Sequence, residues 1–289
     1  MAGDLPEAIQ AEIQSALNDA IATSTRVSGG CISPAACVQT RARQTYFVKW
    51  AERRGGVFAA EAYSLERIAE TQTVRVPGVV AYGRQWLLLE WIEPGDPGRR
   101  AWSDFGTALA RLHRARGESF GWPQPNYIGA LPQQNLPGTE WAEFWRNQRL
   151  EPQLSHAVDG GLLGRSDVQR FEQLFARLED LLATGNQEGA SLLHGDLWSG
   201  NAHPAREGIV AIDPSAYYGH REVDLAMADL FGGFPSAFRE AYEKEWPLRP
   251  VGREQRRAAY QIYYLLVHVN LFGGGYVARV RDALRSALA

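Results

Sequence analysis

HGDLWSGN, His194 to Asn201, stands between two apolar runs, Ala190–Leu193 and Gly208–Ile212, the second ending at Asp213. Short apolar runs bounded by turn residues read as buried strands. Aspartate and asparagine between strands often cap backbone groups, so a tight turn is one reading of this stretch. The other is chemical. Phosphoryl transfer needs an acceptor for the nucleophile's proton, hard oxygen ligands for Mg²⁺, and cations on the phosphates. Asp196, Asn201 and the strand-end Asp213 supply the first two requirements within eighteen residues.

The spacing from Asp196 to Asn201 is that of the kinase catalytic loop H-R-D-x-x-x-x-N, with Gly195 in place of the arginine. Asp196 is then the base, and Asn201 and Asp213 are metal ligands. The third requirement points upstream. Lysine occurs only at Lys49 and Lys244, and Lys49 lies inside a predicted strand between Val48 and Trp50. A lysine held in an interior strand needs a carboxylate to offset its desolvation. In the predicted helix Val57–Glu70, Phe58, Glu61, Leu65 and Ile68 share a face, so Glu61 sits among apolar neighbours. Lys49 and Glu61 therefore read as the strand–helix ion pair of a kinase. Two unrelated side chains with their charges in solvent are the alternative. Gly29–Gly30 could cover phosphates, although the stretch lacks G-x-G-x-x-G. The backbone of Glu90, Trp91 and Ile92 could hold an adenine edge. His194 and Asp224 read as structural supports of the catalytic loop. A zinc site of His194, His203 and His220 fits no standard ligand spacing.

Around these residues the chain divides by composition. Residues 1–92 read as a strand-rich lobe, opened by an amphipathic helix with Leu5, Ile9, Ile13 and Leu17 on one face. EPGDPGRR marks a turn-rich boundary, and residues 93–289 read as a mainly helical lobe. The expected helices there are 102–115, 140–150, 167–183, 222–231, 235–245, 253–272 and 277–288. GWPQPNYIGALPQQNLPG is a long loop of the kind that is functional or mobile. The fold class expected is α+β, two-lobed and protein-kinase-like, with a small antiparallel sheet.

The bulk properties remove other classes. The 289 residues carry a formal charge of −3, which gives no basic face for a nucleic acid. Two cysteines, Cys31 and Cys37, cannot form a disulfide scaffold. No stretch approaches the roughly 18 apolar residues of a membrane span, and the N-terminus lacks a secretory pattern. A cytoplasmic protein is expected.

HGDLWSGN, IDPSAYYGHREVDLAM, LFGGF (Leu230 to Phe234) and NYIGALPQQN (Asn126 to Asn135) together resemble the fructosamine/ketosamine 3-kinase family. That family falls within the protein-kinase-like, aminoglycoside-phosphotransferase-like superfamily. The resemblance covers nearly the whole chain. It implies ATP- and Mg²⁺-dependent phosphorylation of the 3-hydroxyl of a ketosamine, free or on a glycated protein, whose product releases its amine. Ribulosamine or erythrulosamine adducts are implied ahead of fructosamine. Trp198, Tyr217, Tyr218, His220 and Arg221 are the candidates for substrate contact, each with a role in the core as its alternative. Ser33 departs from the family's usual glycine-loop pattern. Cys31 in that loop could be oxidised to link two subunits and block ATP, or could simply fill space; a monomer and a redox-linked homodimer both stay open. A choline, homoserine or aminoglycoside kinase of the same fold is the first rival, and a non-catalytic binding or redox-sensing module is the second.

Overall fold

Strand β3 (Thr45–Trp50) shows how the small lobe is built. The structure, a computed structural model, describes residues 5–27, 33–51 and 56–289. Side chains alternate across a strand, so Val48 and Trp50 face one way while Phe47 and Lys49 face the other. The first face packs with Ala36, Val38, Trp86 and Leu88 under α1 (Glu7–Leu17) through Ile9 and Ile13. Glu12 of α1 accepts a 2.6 Å bond from the Trp86 indole, which fixes the helix on the sheet. The second face, with Leu87 and Leu89, packs against Phe58, Ala62, Leu65 and Ile68 of α2 (Val57–Glu70).

The sheet has five antiparallel strands, adding β1 (Ile21–Arg26), β2 (Ala35–Thr40), β4 (Val79–Tyr82) and β5 (Trp86–Glu90) in the order β1-β2-β3-β5-β4. Lys49 pairs with Ala35 on one side and Leu87 on the other. The strand lysine thus sits in the middle of the sheet with its side chain on the side that faces the second lobe.

The larger lobe begins with α3 (Gly98–Leu112). Two hairpin strands follow, β6 (Asn126–Ile128) and β7 (Leu131–Gln133), then α4 (Trp141–Trp145), a π-helical turn over Arg146–Leu150, and α5 (Glu151–Asp159). A single helix was expected over 140–150. The chain instead continues: Pro152 falls in the first turn of α5, and the wide turn before it relieves the missing amide.

A second expected helix, 167–183, is three: α6 (Arg165–Phe175), α7 (Leu178–Leu181) and α8 (Ala183–Glu188). The backbone turns at Arg177 and Leu182, which lets Gly185 pass directly beneath the Trp141 ring. Next come β8 (Ser191–Leu193), β9 (Ala202–Ala205), β10 (Gly208–Ala211) and β11 (Tyr217–Gly219), then α9 (Glu222–Leu230), α10 (Ser236–Glu245), α11 (Arg253–Phe272) and α12 (Val277–Leu288). Strands of three or four residues such as β6, β7, β9 and β11 show too little alternation to be read from sequence.

Helix α11 carries apolar residues all round and is the core of this lobe. Trp141, Trp145, Tyr217, Tyr260 and Tyr263 are fully buried around it. Among the described residues no helix is long and apolar enough to cross a membrane.

Helices α3 and α10 cross at Gly106, where an added Cβ would lie 2.1 Å from the Phe238 carbonyl oxygen. Gly106→Ala should therefore force the helices apart and cost about 1–3 kcal/mol, measured by denaturant unfolding.

Candidate active site

The sheet and the helical lobe enclose a cleft of about 580 Å³. Lys49 and Glu61 reach it from the sheet side and Asp196, Trp198, Asn201 and Asp213 from the other; the connector residues Glu90, Trp91 and Ile92 close one end. Residues more than 150 positions apart are thus brought to one place.

The lobes meet in an ion-pair triad. The Lys49 ammonium lies 2.5 Å from Glu61 and 2.8 Å from Asp213. Burial alone would push the ammonium down, but the Asp213 and Glu61 carboxylates outweigh it and hold Lys49 above its ordinary range. Lys49 is consequently charged at every physiological pH. Its stem crosses the apolar face of the sheet while its head sits between two acids.

The catalytic loop is held from behind. The Asp224 carboxylate, fully buried at the start of α9, accepts the backbone amides of His194 (2.7 Å) and Gly195 (2.9 Å). His113 bonds to the same carboxylate at 3.1 Å. Burial opposes the Asp224 charge, but these bonds prevail and keep its carboxyl below the usual range. The His194 ring bonds the Ile212 carbonyl (3.0 Å), and Tyr264 donates to the Gly195 carbonyl (2.7 Å). Gly195 has φ +84°, and a Cβ there would lie 2.1 Å from the Ser215 carbonyl oxygen. The arginine of H-R-D is therefore excluded at this position both by backbone conformation and by space.

Asp196 is half-buried, and its carboxyl is pushed up to about 7 by desolvation and by the nearby Asp213 charge, against the bond from Asn201. A carboxylate poised near neutrality is suited to accepting a proton. The Asn201 amide nitrogen donates to both the Asp196 carbonyl (2.9 Å) and its carboxylate (3.2 Å). That commits the nitrogen and leaves the amide oxygen for a cation. Asp213, in a left-handed conformation at φ +54°, keeps its carboxylate at the cleft. An amide oxygen and a carboxylate are a hard donor set that suits Mg²⁺, which takes its remaining oxygens from phosphate and water. Among the described residues there is no cluster of three or more His, Cys, Asp or Glu side chains that could hold a metal, which leaves the zinc alternative without a site.

Other expected residues lie elsewhere. Gly29, Gly30 and Cys31 are outside the described residues, although Val27 and Ser33 on either side line the cleft. Glu90 turns its carboxylate to Arg75 and the Gly78 amide, so only its backbone serves the connector. His203 bonds the Ile92 backbone from below.

Of the residues expected to touch substrate, Trp198 lines the cleft, whereas Tyr217, Tyr218, His220 and Arg221 lie away from it. Tyr217 is fully buried against Arg149, and Tyr218 packs at a tilt against Trp122. His220 bonds Tyr260 (2.7 Å) and Glu188 (3.1 Å), and Arg221 bonds Glu188 at 2.6 and 2.9 Å beneath Trp246. The dense polar stretch after Asp213 is thus an anchor of the lobe, because β11 and its link into α9 carry these side chains away from the cleft. Residues not singled out from sequence take their place at the cleft: Asn126, Tyr127 and Ser215. The crowding of amides between Asn126 and Asn135 was the available signal.

A two-lobed molecule with a strand lysine on a helix glutamate, a pinned H-x-D-x-x-x-x-N loop and a strand-end aspartate is a phosphotransferase of the kinase-like fold. The fructosamine kinase family model matches residues 5–289, and the chain belongs to that family. A probable ketoamine kinase of Synechocystis is 41% identical over 272 residues, covering 91% of this chain and 89% of that protein. The chloroplastic protein-ribulosamine 3-kinase of Arabidopsis thaliana is 39% identical over 261 residues, covering 86% of this chain and 78% of that one. A crystal structure assigned as a fructosamine-3-kinase from Thermobifida fusca superimposes with a TM-score of 0.91 at 35% identity, covering 98% and 99% of the two chains.

Arg221→Met should lower the unfolding free energy by roughly 3–5 kcal/mol, because Glu188 is left buried without its main partner. Glu188 is held down to about 2: burial raises it, and the bonds from His220 and Arg221 more than reverse that. Its stabilising effect is complete above the ordinary value of 4.5 and is lost as pH falls from there towards about 2. A raised KM for the acceptor at unchanged stability would instead return Arg221 to the substrate site.

Proposed function

We propose that this protein transfers the γ-phosphoryl group of ATP to the 3-hydroxyl of a ketosamine, free or on a glycated protein, and so leads to release of the amine. The observation that carries the reading is the convergence of Asp196, Asn201 and the Lys49–Asp213 pair on one cleft. Family membership directs it to ketosamines. The relatives named for ketoamines and for protein ribulosamines support the substrate class; within it the reading puts ribulosamine or erythrulosamine ahead of fructosamine.

In this scheme the acceptor hydroxyl donates its proton to the Asp196 carboxylate as its oxygen bonds the γ-phosphorus. The bond from that phosphorus to the bridging oxygen breaks, and ADP leaves. Asn201 and Asp213 would hold Mg²⁺, which neutralises charge on the phosphates. Lys49 is positioned by Glu61 to meet phosphate oxygens, since an ammonium already charged and desolvated costs little to reorient. Glu90 to Ile92 would present the connector backbone to the adenine, and the stretch from Val27 to Ser33 would cover the phosphates. Trp198, which lies over Gly200 at the cleft, offers a flat apolar face to the open-chain sugar. A sugar presents alternating C–H and O–H groups, and an indole accommodates the former.

The test is ATP consumption with ribulose-, erythrulose- and fructose-amine adducts, with an aminoglycoside as control. Turnover of the aminoglycoside alone would overturn the assignment. Asp196→Asn should lower kcat by about 10²–10⁴-fold with nucleotide binding retained.

The pH profile gives a second check. The base works when ionised, so with Asp196 at about 7 kcat/KM should be level above that pH and fall about tenfold per unit below it. A limb unchanged in Asp196→Glu and unmoved by Asp213→Asn would assign that titration to another group.

A further inference from the structure

Arg149 is fully buried, and no carboxylate lies within ion-pair distance of it among the described residues. A buried guanidinium without an acid is costly, so its surroundings have to compensate. Three kinds of group do so. The guanidinium lies 3.9 Å from the centre of the Tyr217 ring and 4.9 Å from that of Phe144. It donates to the carbonyls of Gln134 and Gln148. It also donates at 2.8 Å to the Asn135 side-chain oxygen. The π-helical turn is what delivers it there. Pro152 brings no amide to the Gln148 carbonyl four residues earlier, and Arg149 takes that acceptor at 3.0 Å.

From Arg149 a chain of side-chain amides runs towards the cleft. Arginine can only donate, so Asn135 must present its oxygen to Arg149 and its nitrogen to the other side. That nitrogen donates to the Asn126 oxygen at 2.6 Å. Asn126 must then turn its own nitrogen outward, and it donates at 2.7 Å to the carbonyl of Ala216. A parallel branch starts at Tyr263, whose hydroxyl donates to the Gln133 oxygen at 2.8 Å. The Gln133 nitrogen in turn donates to Asn126 (3.0 Å) and to the Ser215 carbonyl (3.2 Å). Both branches end as donors on the two carbonyls that follow Asp213 and Pro214.

Asp213 needs such support. Its φ of +54° is unfavourable for a side chain larger than glycine's, and the following segment has few backbone partners of its own. The Ser215 amide donates to the His194 carbonyl at 2.9 Å, which fixes one side of that peptide. The amide chain fixes the other.

We propose that Arg149 and Tyr263 are positioning residues for phosphoryl transfer: they set the direction of the Asn135–Asn126–Gln133 amide chain, whose last donors hold the Ser215–Ala216 backbone and thereby the Asp213 carboxylate. This rests on the reading of Asp213 as a cation ligand. Bonds in a chain of one polarity reinforce each other in a dry environment, so reversal of one member propagates to the rest. Groups that orient metal-binding side chains affect metal affinity almost as much as the ligands do.

Asn135→Asp tests the direction of the chain at nearly constant volume. The new carboxylate pairs with Arg149, which favours folding, but it cannot donate to Asn126. Asn126 must then turn its nitrogen towards Asp and its oxygen towards the Ala216 carbonyl, where two acceptors repel. ATP binding is titrated by calorimetry at varied MgCl₂ without any acceptor, beside thermal unfolding and steady-state kinetics. The Mg²⁺ concentration for half-maximal ATP binding should rise about tenfold or more, with kcat lowered in proportion, acceptor KM retained and Tm within a few degrees. Tyr263→Phe removes a single hydroxyl from the second branch and should raise the Mg²⁺ requirement about fivefold. Values within twofold of wild type in Tyr263→Phe and in folded Asn135→Asp would overturn the proposal, as would a lowered Tm with an unchanged Mg²⁺ requirement. Should Asn135→Asp fail to fold, Tyr263→Phe decides alone. Wild-type protein that binds Mg²⁺–ATP but turns over no ketosamine would refute the substrate reading while the titration still judges the amide chain.

Discussion

The Lys49 ammonium, held between Glu61 and Asp213, is the interaction on which the rest of the structure depends. Each partner comes from a different element: the middle strand of the sheet, the helix packed on it, and the loop after β10 of the other lobe. A buried cation is tolerable only with acids in contact, so the triad requires the two lobes to meet at this point. It also dictates what else must be dry. The strand residues beside Lys49 and the helix residues beside Glu61 are apolar because they close the base of the cleft around the three charges.

The loop 194–201 presents the converse problem, that of an acid beside a second carboxylate with no cation of its own. Asp196 receives little help towards ionisation, with one side-chain amide bond set against burial and the Asp213 charge. Asp224 is buried more deeply but collects two backbone amides and His113, and is held as an anion. Two aspartates of one loop assembly are thereby pushed in opposite directions by their hydrogen-bond partners. Asp196 is left near neutrality, as the proposed base requires, and Asp224 is a fixed anchor. This division recurs across the lobe, where His220, Arg221 and Glu188 form a satisfied network that only stabilises.

The local chemistry was legible from sequence wherever a residue type was out of place. A lysine within an apolar strand, a glutamate on an apolar helix face, and Asp and Asn between two buried strands each conflict with simple packing. Those conflicts mark the cleft. Part of the expected substrate set lies away from the cleft for a related reason: Tyr217, His220 and Arg221 are equally out of place, but their conflict is resolved internally. Sequence cannot distinguish a polar group satisfied by a neighbour 30 or 40 positions away from one left open to a ligand. Only the direction of strand β11 separates the two cases.

By itself the sequence determined the longer elements, the two-lobed class, the kinase-like spacing and the kinship, because all of these rest on periodicity, spacing or motif over short ranges. The tertiary structure alone decided which polar residues face the cleft and which support it. Asn126 reaches the Ala216 carbonyl and Arg149 reaches Asn135 only because a π-helical turn before Pro152 rotates the guanidinium inward. A buried donor takes whichever acceptor the packing brings within about 3 Å, and that pairing is a property of the assembled core.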